Sequence, residues 1–228
     1  MTLPLTLPRR LQPGDTLGLI NPSGAIYERG PYEQTHETLR ALGFRTQEGA
    51  NLRARYGHMA GTPQQRADDI HALFADPGVA GILAVTGGSG ANRVLPLLDA
   101  DLIARHPKFL GGFSDLTALI GAVHAMTGLV TFHSPLGRSE WNAFSIGHFK
   151  AVVMAGAAHT LRNELVKGDD GALYYQPMPA NDDMYVFGSS RVSWIDWLGA
   201  LAFVGSLLGV LGHGTLRYLA ARKQPKGP

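Results

Sequence analysis

Short apolar runs alternate with amphipathic stretches over the first two-thirds of the chain, and turn residues punctuate them. Pro13 and Gly14 set a turn in Leu11–Asp15, and Thr16–Ile20 follows as a short buried strand ended by Asn21-Pro-Ser-Gly24. The apolar spacing predicts a helix over Tyr32–Leu42, closed by Gly43, and a strand over Phe44–Glu48. Thr62 is placed to cap a helix running to Phe74, with Pro63 at its first position. Ala67, Ile70, Leu73 and Phe74 share one face of it, and Pro77-Gly78 stop it. Val79–Val85 is apolar throughout, as a strand buried on both faces must be. Gly87-Gly-Ser-Gly90 is expected to turn the chain into a helix bearing Val94, Leu97 and Leu98. Phe109–Phe113 reads as another strand. Ser114 is expected to begin a helix through Met126, ended by Gly128, before a strand over Leu129–Phe132.

Strands that alternate with helices at this spacing define an α/β fold with a mostly parallel sheet and flanking helices. Ligands of such sheets bind beyond the carboxyl ends of the strands. Three suggestive segments fall there: Gly87–Gly90, Gly112–Asp115 and His133–Pro135. The pattern changes near Leu165. The expected organisation is a nucleophile-bearing domain over 1–165, an irregular linker over 166–192, and an apolar helix with a basic tail over 193–228. Trp197 to Leu216 carries no formally charged side chain and is long enough to cross a bilayer. Trp194, Trp197 and Tyr218 flank it, and Arg217, Arg222, Lys223 and Lys226 follow. A membrane contact through 197–216 is therefore expected.

Composition narrows the classes. Hydrophobic residues make up 45% of 228 and charged residues 17%, which suits a folded chain. A formal charge of +2 gives no basic field for nucleic acid. With no cysteine, disulfides, thiol catalysis and cysteine–zinc sites are excluded. The nine histidines show no metal-binding spacing, so no metal and no cofactor is expected. Met1–Arg10 places its basic pair after a short apolar stretch, the reverse of a secretory signal, so a cytoplasmic location is expected.

Ser114 is the sharpest chemical candidate. It follows Gly111-Gly112 at a strand-to-helix junction, where unpaired helix N–H groups favour an alkoxide and an oxyanion. The same position also suits a simple helix cap. Gly112-Phe-Ser-Asp-Leu116 lacks the second glycine of a G-x-S-x-G elbow. Gly87–Gly90 lets a ligand approach the backbone, or serves as an ordinary turn. It lacks a P-loop lysine, and Arg93 breaks the G-x-G-x-x-G pattern, though a nucleotide remains an alternative ligand. His133 is a candidate base or substrate contact, or a structural histidine.

Five ordered segments resemble the LD-carboxypeptidase family, which includes muramoyltetrapeptide carboxypeptidases and microcin self-immunity proteins. They are Leu11–Gly18 with Asn21–Ser23, Ala60–His71, Gly87–Arg93 with Leu95–Asp99, Gly112–Leu119 and Thr127–Pro135. The resemblance covers Leu11 to about Leu136. It implies hydrolysis of the L–D peptide bond of cell-wall tetrapeptides by a Ser–His–Glu triad without a metal. It implies Ser114 as nucleophile and backbone N–H groups of Gly88 and Asp115 as oxyanion hole; Gly87, Ser89 and His133 are the candidate substrate contacts. It further implies a small peptide or muropeptide substrate and, since members are often dimers, a homodimer. Thr86 stands where the family commonly has arginine, Ser89 where an aromatic is common, and Ser134 where a glycine is usual. No second catalytic domain is recognisable after Leu165, and Glu164 is the last glutamate. The triad histidine and glutamate are assigned to no residue, and impaired catalysis or a non-catalytic, membrane-associated peptide-binding module is the expectation.

Overall fold

In the computed structural model the described residues are 3–157 and the strands 165–167, 173–175 and 185–187. All belong to the compact unit Met1–Gly188. The elements run β1 (Thr16–Ile20), α1 (Gly30–Ala41), β2 (Arg45–Glu48), α2 (Pro63–Ala75), β3 (Gly81–Ala84), α3 (Ala100–Arg105), β4 (Phe109–Gly112), α4 (Leu116–Thr127), β5 (Thr131–His133), α5 (Ala143–Phe149), β6 (Leu165–Lys167), β7 (Leu173–Tyr175) and β8 (Tyr185–Phe187).

The main sheet has the order β2-β1-β3-β4-β5-β8. Its first five strands are mutually parallel, in register Leu17↔Gly81, Gly81↔Phe109 and Gly111↔Phe132. β8 pairs antiparallel with β5, matching Thr131 to Phe187 and His133 to Tyr185. β6 and β7 form a separate antiparallel pair. The three strands β6–β8 thus supply regular backbone around and within the span expected to be irregular.

Period-two alternation sorts the strand side chains into two cores. Leu17, Leu19, Leu83, Phe109 and Phe132 pack with Leu39 of α1 and Phe149 of α5. Ile20, Ile82, Ala84 and Leu110 pack with Ile70 and Phe74 of α2, Ile103 of α3, and Leu116 and Ile120 of α4. Phe149 anchors the first core, meeting Phe109 and Trp141 edge-on at 5.7 and 5.1 Å between centroids. That is the geometry aromatic quadrupoles favour.

α2 begins as its sequence requires. Thr62 Oγ1 accepts the Gln65 N–H and Gln65 Oε1 accepts the Thr62 N–H, a reciprocal capping box ahead of Pro63. Two local expectations are corrected. The chain after Gly90 makes two short 3₁₀ turns, Ala91–Arg93 and Leu95–Leu97, rather than one helix. Pro96 has no N–H to continue a regular ladder there. Ser114 does not begin α4 either; a turn at Ser114–Asp115 precedes Leu116. Among the described residues no helix is long and apolar enough to cross a membrane. The apolar run 197–216 and its basic tail lie outside the described residues.

Candidate active site

β1 and β3 are neighbours, yet β1 leads to β2 on one side while β3 leads to β4 on the other. Loops leaving their carboxyl ends therefore diverge and open a crevice. The loops after β1, β3, β4 and β5 all emerge at this end, so every suggestive segment of the sequence is gathered there.

Ser114 stands on the turn after β4. Gly111 and Gly112 are buried, Phe113 is half-buried and Ser114 is exposed. Its φ of 65° is the one positive value among the described non-glycine residues. The left-handed conformation costs an L-residue about 1–2 kcal/mol, so it persists only because the surrounding packing imposes it. α4 starts two residues later and is twelve residues long, which directs the positive end of its dipole toward this turn.

The glycine turn after β3 closes on Ser114 from the side. A Cβ on Gly87 would stand 3.1 Å from Ser114 Cβ and 3.2 Å from its Oγ. Gly88 has φ 128°, and a Cβ there would lie 2.9 Å from the Gly24 nitrogen. Only glycine fits both demands at Gly88, which is exposed.

Three side chains to which sequence reasoning assigned no role, those of Ser23, Arg66 and Asp115, hold these loops together. The Asp115 carboxylate does not cap its own helix. Instead it accepts the Ser23 hydroxyl at 2.6 Å and the Ala91 N–H at 2.8 Å, joining the loops after β1, β3 and β4. The Gly24 N–H donates to the Gly87 carbonyl at 3.1 Å. Arg66 of α2 is 2% exposed, and its Nη1 donates to the carbonyls of Pro22 and Gly90. Its Nη2 has no partner among the described residues. Burial pulls this guanidinium below its usual range; Arg93 adds to that and Asp115 opposes it. The signal for Arg66 was in the sequence: it shares the helical spacing of Ile70 and Leu73, where a cation has no reason to be unless it reaches polar backbone.

His133, half-buried at the end of β5, lies against the Phe113 ring at 5.9 Å between centroids. Ser89 is exposed, and its Oγ is 3.4 Å from Nε2 of His58, a residue that sequence reasoning did not single out. The turn after β3 is thus brought against the turn after β4, with Gly87 on Ser114, and Gly88 and Asp115 are their neighbours along each turn. Ser89 lies beside His58, and His133 lies beside Phe113, the residue before Ser114. Beside the turn is a pocket of about 350 Å³ lined by Thr86, Phe113, Leu136, Arg138, Ser139 and Glu140. Among the described residues no group of three acidic or histidine side chains is placed to hold a metal. The arrangement offers an exposed hydroxyl beside glycine and helix-terminal N–H groups, which suits attack on a carbonyl and stabilisation of the oxyanion that results.

Residues 17–134 match the LD-carboxypeptidase N-terminal domain. The chain is 38% identical over 133 residues to a probable murein peptide carboxypeptidase of Bacillus subtilis, covering 57% of this chain and 40% of that protein. It is 37% identical over 121 residues to the murein tetrapeptide carboxypeptidase of Pseudomonas aeruginosa, covering 53% and 39%. Its fold superposes on an MccF-like protein from Bacillus anthracis with a TM-score of 0.63 at 31% identity, over 65% of this chain and 47% of that one. It also superposes on the microcin C7 self-immunity protein MccF in complex with aspartyl sulfamoyl adenosine, with a TM-score of 0.65 at 26% identity, over 75% and 58%. The chain spans about two fifths of the length of the first curated relatives it matches.

Proposed function

The chain belongs to the LD-carboxypeptidase family, and on that premise we propose that it carries the nucleophile domain of a serine hydrolase acting on murein tetrapeptides or related peptide conjugates. The bond cut is an L–D peptide bond. Ser114 Oγ adds to the carbonyl carbon, and the N–H groups of Gly88 and Asp115 receive the oxyanion. Collapse breaks the C–N bond, the terminal residue leaves as its amine with a proton, and water then cleaves the acyl ester. Gly87, Ser89 and His133 line the path of the peptide. The observation that carries this reading is the left-handed Ser114, exposed at the switch point with Gly87 against its hydroxyl.

The base that takes the Oγ proton, and the carboxylate that orients it, are assigned to no described residue. Slow turnover by this chain alone is therefore expected. The test is incubation with a serine-reactive fluorophosphonate followed by mass spectrometry, with D-alanine release from a tetrapeptide measured in parallel. An adduct on Ser114 that disappears in Ser114→Ala supports the reading; a folded chain that takes no label overturns it. The alternative reading is that the crevice binds peptides without cleaving them. Muropeptide binding with neither label nor turnover would select it.

A further inference from the structure

Arg138 stands in the pocket beside Ser114, and its guanidinium is engaged only lightly. Nη1 lies 3.4 Å from the Thr86 hydroxyl, a long contact with a neutral group. No ion pair joins it to a carboxylate among the described residues, although Glu140 lines the same pocket. The backbone beneath it is firmly held. The Gly137 N–H donates to Ala84 O at 2.9 Å and the Arg138 N–H to Val85 O at 3.1 Å, so this loop continues the hydrogen bonding of β3. The Ser139 N–H closes a turn on Leu136 O, Ser139 Oγ accepts the Leu136 N–H, and Trp141 Nε1 donates to the same carbonyl of Leu136. A cation is thus presented from a fixed loop.

Its position relative to the nucleophile is set by two chain neighbours. Thr86, which the guanidinium touches, is followed by Gly87, which packs on Ser114. Phe113, on the pocket wall, immediately precedes Ser114. The pocket is therefore one residue away from the reacting hydroxyl along both loops. A volume of about 350 Å³ holds a small amino-acid residue, and its buried wall residues Thr86, Leu136 and Ser139 leave Arg138 and Glu140 as the charged groups.

We infer that this pocket is the subsite for the terminal residue of the substrate, with Arg138 binding that residue's free carboxylate. The inference rests on the hydrolase reading above and names the group by which the peptide end is recognised. A planar guanidinium pairs with a carboxylate through two parallel hydrogen bonds, which a backbone amide at the same place would not provide. Glu140 adds a second discrimination, since its negative charge repels a terminal residue with an acidic side chain.

The test is calorimetric titration of the full chain, with Ser114→Ala to prevent turnover. The ligands are a tetrapeptide ending in L-lysyl-D-alanine with a free carboxylate and the same peptide as its terminal amide. The acid should bind more tightly than the amide by about 10- to 100-fold, and Arg138→Ala should bring the acid down to the amide. Arg138 is exposed and its backbone bonds are untouched by the substitution, so the fold is retained. Equal binding of acid and amide, or a preference that survives Arg138→Ala, overturns this inference and leaves the hydrolase reading standing. Failure of both peptides to bind the folded chain overturns the hydrolase reading and this inference with it.

Discussion

At the scale of single residues, the site depends on where a side chain is missing as much as on where one is present. Ser114 holds a backbone conformation that an L-residue avoids, and Gly87 leaves the space its hydroxyl occupies. The backbone of Gly87 is not among the positive-φ glycines, so Gly87→Ala is tolerated conformationally and acts through its new methyl group. That methyl would press on Ser114 at 3.1–3.2 Å. Fluorophosphonate labelling of Gly87→Ala is expected to slow by about tenfold or more, as small displacements of a nucleophile do, with little change in melting temperature. Unchanged labelling would mean that Gly87 does not set the position of Ser114. The motif around Ser114 was legible in sequence, but its strain was not. Serine is an ordinary cap residue, and only the folded turn shows it outside the helix.

At the scale of elements, polar side chains tie neighbouring pieces of backbone together. Asp115 and Arg66 do so for the crevice loops. On the far edge of the sheet, His36 of α1 and Arg53 meet Glu48 at the end of β2. The guanidinium of Arg53, and secondarily His36, hold the Glu48 carboxyl below its ordinary value of 4.5, against the opposing effect of partial burial. A carboxyl whose folded pKa is lowered contributes stability above its unfolded pKa and loses it as pH falls through the folded value. Acidification from about pH 6 to about pH 3 should therefore lower the melting temperature of the wild-type chain more than that of Glu48→Gln, by a difference worth about 1 kcal/mol or less because the group is partly exposed. Parallel melting curves across that range would show instead that the cluster contributes nothing. These ties were invisible in the sequence because their partners lie 5 to 92 positions apart.

At the scale of the molecule, the sheet is completed by a strand far along the chain. β5 would be an edge with unpaired N–H and C=O groups; the antiparallel strand Tyr185–Phe187 covers it. A chain cut after residue 157 loses that cover, and it should melt at a lower temperature and aggregate at lower concentration than a chain cut after residue 188. Indistinguishable melting and light scattering for the two would show that β5 needs no cover. The expectation of an irregular segment there arose because three-residue strands carry too few alternations to be read.

The sequence by itself determined the α/β class, the five parallel strands to within two residues at each end, and the capped start of α2. Each of these follows from local periodicity, turn residues or capping chemistry acting within a few positions. It also marked Ser114 and the glycine turn, because glycines at strand ends announce close backbone approach. Tertiary structure alone decided that the two segments touch, that Asp115 spends its carboxylate on other loops, and that Arg66 is buried beneath them. It alone set the Arg138 loop against the end of β3. Those outcomes depend on the order of strands in the sheet, which brings residues distant along the chain to one crevice. Local pattern carries no record of that order.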